Sequence, residues 1–217
     1  MFQTDFTVTD FLFMLQGAGV TLMLTFWAVL GGTLLVLALG VARAVSPWWL
    51  NGPIGAVLDV FRSIPLLIQF ILANSFKSIV GLDVSAFIVA CVVLALDTSA
   101  YCTEIVRAGM LAVPVTTRRA ARSLGMTYWQ DLRFVVFPIA LRVSLPSWTG
   151  LTLGVLKDTA LVLWIGIVEL LRSSQVIVTR IQEPLLVLSI CGLIYFLLSF
   201  PISRLGAYLE TRWREYD

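Results

Sequence analysis

From Gly17 the chain carries no charged side chain until Arg43, and Ser46-Pro47 closes the run. Hydrocarbon offers no partner to an open backbone amide, so a long apolar run of this kind resolves into a helix that satisfies its own backbone. About 20 mostly apolar residues cross a bilayer core, each adding 1.5 Å of rise. Further runs follow the first. The second, 53–80, is interrupted by Asp59, Arg62 and Pro65; the third, 84–110, contains Asp97 and ends with Glu104 and Arg107. The fourth starts near Val135 and is broken by Pro138, Arg142 and Pro146, and the last occupies 184–208. These runs predict an all-α polytopic membrane protein with five spans, at about 17–43, 54–80, 84–110, 136–157 and 184–208, in one transmembrane domain over 1–217. The stretch 160–181, apolar at first and then mixed, predicts a helix lying on or partly in the membrane surface.

Composition narrows the function. Hydrophobic residues make up 59% and charged residues 13%, against about half and a quarter in soluble domains, which suits a lipid solvent and leaves no separate soluble domain. The 15 basic residues are scattered among apolar segments, so no nucleic-acid face forms. Cys91, Cys102 and Cys191 sit in apolar runs without CxxC spacing, and histidine is absent. That excludes the usual metal clusters and a Ser/His dyad. The acidic start MFQTDFTVTDF lacks the basic region of a cleavable signal peptide. No GxxxxGK[ST] stretch occurs, so the chain holds no ATP in the usual way. Arg107, Arg118, Arg119, Arg122 and Arg133 between the third and fourth spans, with Arg212 and Arg214 in the tail, mark the cytoplasmic side, whereas Asp5 and Asp10 precede the first span. The expected orientation is N-terminus out and C-terminus in. Trp48, Trp49, Trp129 and Trp213 fall near the inner surface as interfacial anchors. No internal repeat or low-complexity linker is seen.

The polar segment 114–135 carries helix punctuation. Thr116 or Thr117 caps a short helix through Leu124, Gly125 supplies a left-handed residue that ends it, and Thr127 with Gln130 forms a capping box for another. Ala121, Leu124 and Tyr128 recur at spacings of three and four, opposite the arginines. A helix, a glycine turn and a second helix on the inner membrane surface form a knob that another protein can grip.

This segment resembles the cytoplasmic loop of the integral-membrane subunits of bacterial ATP-binding-cassette importers, with its EAA motif, following glycine and Ile-x-Leu-Pro ending. Ala120, Ala121 and Gly125 match, Val135 to Pro138 occupy the ending, and Arg119 stands where that family has glutamate. Phe61-Arg62-Ser63-Ile64-Pro65-Leu66-Leu67-Ile68-Gln69, Ala100-Tyr101 with Glu104-Ile105-Val106-Arg107 and Gly109, and Leu156-Lys157-Asp158-Thr159-Ala160-Leu161 resemble the branch of polar amino-acid permeases. That branch serves histidine, arginine, glutamine, glutamate and opines, and the resemblance extends from about residue 11 to 212. It implies a type I importer permease in the bacterial inner membrane, paired with an identical or sister protomer. It further implies two cytoplasmic ATPases that bind ATP and magnesium, and a periplasmic or lipid-anchored solute-binding protein. The permease itself would be non-catalytic.

On this reading Arg118, Arg119, Ala120, Ala121, Leu124 and Gly125 meet the ATPase, with Arg118, Arg119 and Arg122 facing acidic groups there or, alternatively, anionic lipid headgroups. Charge inside a bilayer marks a pathway or a pair. Asp97 lies roughly 20 Å into the third span at 1.5 Å per residue, and Arg62 enters from the opposite side to comparable depth, so the two are expected either to pair or to contact the substrate. Thr98, Ser99 and Tyr101 join Asp97 in the substrate path, Gln69 bonds substrate or a neighbouring helix, and Lys157 with Asp158 complements a zwitterion or caps a helix end. Glu169, Arg172, Arg180 and Glu183 form a solvated external face. The competing classes are an ATP-independent amino-acid carrier or channel, and an intramembrane enzyme.

Overall fold

The computed structural model describes residues 5–45 and 48–214, with side-chain surroundings for 5–36, 52, 53 and 55–213. Ser46-Pro47 and the side chains of Arg43, Trp48, Trp49 and Arg214 lie outside the described residues. Among the described residues, four helices are each long and apolar enough to cross a membrane: α1 (Val8–Val45), α4 (Ala86–Leu111), α7 (Phe137–Asp158) and α9 (Pro184–Arg214). Helix α1 covers the first expected span and starts already at Val8.

The second expected span is broken. Helix α2 (Trp48–Ser63) and helix α3 (Leu66–Val80) meet at 102°. Pro65 is the cause, since it has no N–H to donate and biases Ile64 out of the helical region. A helix end leaves carbonyls open, a costly state away from water. Gln69 closes two of them, its Nε2 donating to Phe61 O at 2.8 Å and Ile64 O at 2.9 Å. The bend is therefore stapled by a side chain from the helix that follows it.

Helix α4 is the hub, packed between α1 and α7, with α9 on the far side of α7. Leu24 and Ala28 of α1, Phe70 of α3, Ala90 and Leu94 of α4 and Val155 of α7 form one buried cluster. Lipid is as apolar as leucine, so the helices are held by close fit and hydrogen bonds rather than by escape from water. At Gly109 a β-carbon would lie 2.7 Å from Ala140 O, and Ser144 Oγ donates to Ile105 O at 3.2 Å across the same contact. Glycine is what lets α4 and α7 approach.

A 3-10 turn (Thr159–Ile165) leads from α7 to α8 (Leu170–Ile181), whose 12 residues are too few to cross. Helix α8 packs on α1 and α9 through Met14, Ala18, Ile177, Val187 and Cys191. Here the expected solvated face fails in part. Glu169 is fully buried, because its carboxylate caps α8, accepting from Leu171 N at 2.8 Å and Arg172 N at 2.7 Å, while Tyr195 Oη donates to it at 3.1 Å. Arg180 pairs with Asp10 of α1, whereas Arg172 and Glu183 are exposed.

Candidate functional site

A cavity of ≈ 360 Å³ opens at the bend between α2 and α3. The bend itself contributes Arg62, Ser63, Ile64, Pro65 and Leu66, α4 contributes Asp97 and Tyr101, and α7 contributes Leu151, Val155 and Asp158. Residues four apart share a helix face, which places Asp97 with Tyr101 and puts Leu151, Val155 and Asp158 in one stripe. Asp97 Oδ1 accepts a 3.3 Å bond from Gln69 Nε2, so the amide that staples the bend also steadies the carboxylate. No side chain caps the N-terminus of α3; Ile68 N and Gln69 N bond back to Pro65 O, and Leu66, which lines the cavity, begins the helix at the positive end of its dipole.

The expected pairing of Arg62 with Asp97 does not form. Both line the cavity, but Arg62 pairs with Asp59 one turn earlier on α2. The helix break makes the local partner the nearer one. Thr98 and Ser99 are also displaced from the expected path. Each residue step turns a helix by about 100°, so neither shares the Asp97 face: Thr98 is buried against the backbone position of Gly32 in α1, and Ser99 Oγ donates to Leu96 O at 2.7 Å. Lys157 is exposed and lies outside the cavity lining, unlike its neighbour Asp158. Leu151 and Val155 are not among the residues expected at the site, having no polar atom to draw notice; Pro65 is expected as an interruption of the span and as part of the family resemblance, not as cavity lining.

The segment 114–135 builds a second site. Helix α5 (Val115–Ser123) starts after Pro114, without the side-chain cap expected from Thr116 or Thr117. Proline sets the extended entry, so both threonines already lie in the first turn. Gly125 has φ 86°, a left-handed conformation that glycine adopts at no steric cost, and Met126 N returns to Ala121 O at 3.3 Å. Thr127 and Gln130 form the capping box of α6 (Tyr128–Asp131). A π-helical turn (Leu132–Val136) then runs into α7.

The apolar stripe divides. Ala121 is buried, but Leu124 is 82% exposed and Tyr128 is also exposed. Ala120 and Arg119 are exposed with Leu124, giving an outward surface of small, apolar and basic groups. Trp129 is exposed as well. Arg118 and Arg122, one turn apart, both reach inward to Asp131: Arg118 Nε and Nη2 donate to its Oδ2 at 3.2 and 3.1 Å, and Arg122 Nε lies 3.7 Å away. These two were expected to face an outside partner. Asp131, fully buried, was not singled out; its only sequence signal was a lone acid downstream of two arginines spaced four apart.

Residues 34–215 match the family described as the binding-protein-dependent transport system inner membrane component. The octopine transport system permease protein OccM of Rhizobium meliloti is 31% identical over 224 residues, covering 99% of this chain and 91% of that protein. The probable amino-acid ABC transporter permease protein YckA of Bacillus subtilis is 29% identical over 217 residues, covering 100% and 96%. Among solved structures, an amino acid ABC transporter crystallised with histidines superposes with a TM-score of 0.88 at 32% identity, covering 94% of this chain and 96% of that one.

Proposed function

The chain belongs to the family of inner-membrane components of binding-protein-dependent transport systems, and from that premise we propose that it is the membrane-spanning permease subunit of an ATP-driven importer of polar amino acids. The observation that carries this reading is a polar cavity at a broken helix, joined through α7 to an exposed knob. Broken helices are how membrane proteins place backbone dipoles on a solute within the bilayer. The cargo carboxylate meets the positive N-terminal end of α3 and the guanidinium of Arg62, while its ammonium meets Asp97 and Asp158, with Tyr101 beside them. Two carboxylates share this lining with one guanidinium that Asp59 already holds. The surplus of acid favours cargo with more cationic than anionic groups, since a further anion would be left unpaired in a medium that screens little.

The chemistry of ATP belongs to other subunits. Arg119, Ala120, Leu124 and the Gly125 turn form the surface that two ATPase subunits, holding ATP and magnesium, would grip. A second permease protomer, identical or sister, completes the membrane pathway, and a solute-binding protein delivers cargo on the outer side. The arginine distribution supports an outer N-terminus and an inner C-terminus in the bacterial inner membrane.

The test is reconstitution of the complex in liposomes with its ATPase and binding protein. Amino acids are expected to raise the ATPase rate and to accumulate inside, with arginine displacing labelled cargo better than glutamate does. Accumulation without ATP, or no amino-acid effect at all, would overturn the proposal; better displacement by glutamate would overturn only the charge preference.

A further inference from the structure

Asp131 is an anion in a place where burial is expensive. It has no exposed surface, and a buried charge of this kind persists only when partners compensate it. Its Oδ1 is buried without a hydrogen bond among the described residues, so compensation falls on Oδ2 and the two arginines of α5. Those arginines lie on one helix face, and the opposite face carries exposed Ala120. The carboxylate thus holds α5 from the inside while its outer face stays free.

What Asp131 is attached to matters as much. It is the last residue of α6, the π turn begins at Leu132, and α7 continues from Phe137 for 22 residues to Asp158 in the cavity. At 1.5 Å per residue that helix spans roughly 33 Å. At the end of the π turn, Val136 and Ala140 of the α7 base pack onto Val113, just past the end of α4. Between α5 and α7 the chain itself is a glycine turn, a four-residue helix and a π turn, a register found mostly as single turns at functional sites. Left to the backbone alone, a push on α5 would be absorbed there.

We propose that Asp131 is a positioning residue for energy coupling: by clasping Arg118 and Arg122 it makes α5 and the base of α7 move as one body, so that displacement of the knob reaches the Asp158 end of the cavity. This rests on the permease reading above, and it assigns Asp131 no contact with cargo or ATP. The clasp is made by one oxygen, Oδ2, which accepts two bonds from Arg118 and lies 3.7 Å from Arg122 a helical turn on.

The measurement is cargo imported per ATP hydrolysed, in liposomes holding the whole complex. Asp131→Asn is expected to copurify with its ATPase, to keep hydrolysing ATP, and to import about tenfold less cargo per ATP, within the range by which such networks modulate coupling. Asp131→Glu restores most of the ratio, which loss of mere packing would not predict. Arg118→Gln combined with Arg122→Gln, at positions that are partly exposed, is expected to reproduce the defect if Asp131→Asn fails to assemble. A ratio within about twofold of the parent chain in either variant overturns the clasp, as does failure of Asp131→Glu to recover it. Lack of any amino-acid effect in the parent complex would instead strike the permease reading.

Discussion

Asp131 and Asp97 are both withdrawn from bulk water, and they are treated in opposite ways. Asp131 receives two guanidinium groups on one oxygen and is closed to everything else. Asp97 receives one neutral amide, from Gln69, and otherwise faces an open cavity. A carboxylate whose charge is matched inside the protein is a piece of structure. One whose charge is left unmatched beside a cavity is poised for a cation from outside. The cost of the unmatched state is a reason to expect function there.

Apolar replacement separates the two most sharply. Asp131→Leu removes the charge-assisted bonds from Arg118 and is expected to lower stability by about 2 kcal/mol, read as a drop in the melting temperature of the detergent-solubilised protein. Asp97→Leu leaves no cation behind, so its melting temperature should match or exceed that of the parent; a comparable drop at both sites would erase the distinction. Next in size, Asp97→Asn removes a charge-assisted bond to cargo and should weaken half-saturation for uptake by about tenfold, or about 1.4 kcal/mol, with the assembled complex intact. Wild-type affinity in that variant would remove Asp97 from the path. Smallest is Gly125→Val, whose β-carbon would meet nothing within 4 Å but whose φ of 86° is strained for any β-branched residue. A loss of about 1–2 kcal/mol is expected, confined to the knob. Hydrogen exchange should quicken at α5 and α6 and stay unchanged at α4.

The knob was the more legible of the two sites, because its instructions are local. Thr127 and Gln130 are three residues apart and their capping box needs no distant partner; Gly125 terminates α5 wherever α5 happens to lie. The error at Thr116 and Thr117 was local too, since Pro114 offers a competing start. The division of the stripe at Leu124 was not legible, because 3.6-residue spacing says which residues share a face but not which face meets protein. The cavity was legible only as a set of charged residues of uncertain company. Depth along two spans made Arg62 and Asp97 look like partners, and that reasoning presumed a straight second span.

By itself the sequence determined that this is an all-helical membrane protein with the signature of its family, since hydropathy, caps and turn residues act over a few positions and need no knowledge of the fold. It also contained Pro65, the cause of the bend. Only the tertiary structure decided where that bend points, which neighbour receives each charge, and that Glu169 and Asp131 are buried while Arg119 and Leu124 are not. Those outcomes depend on pairings between residues 13 to 28 positions apart or more, whose energies exist only once the helices have packed.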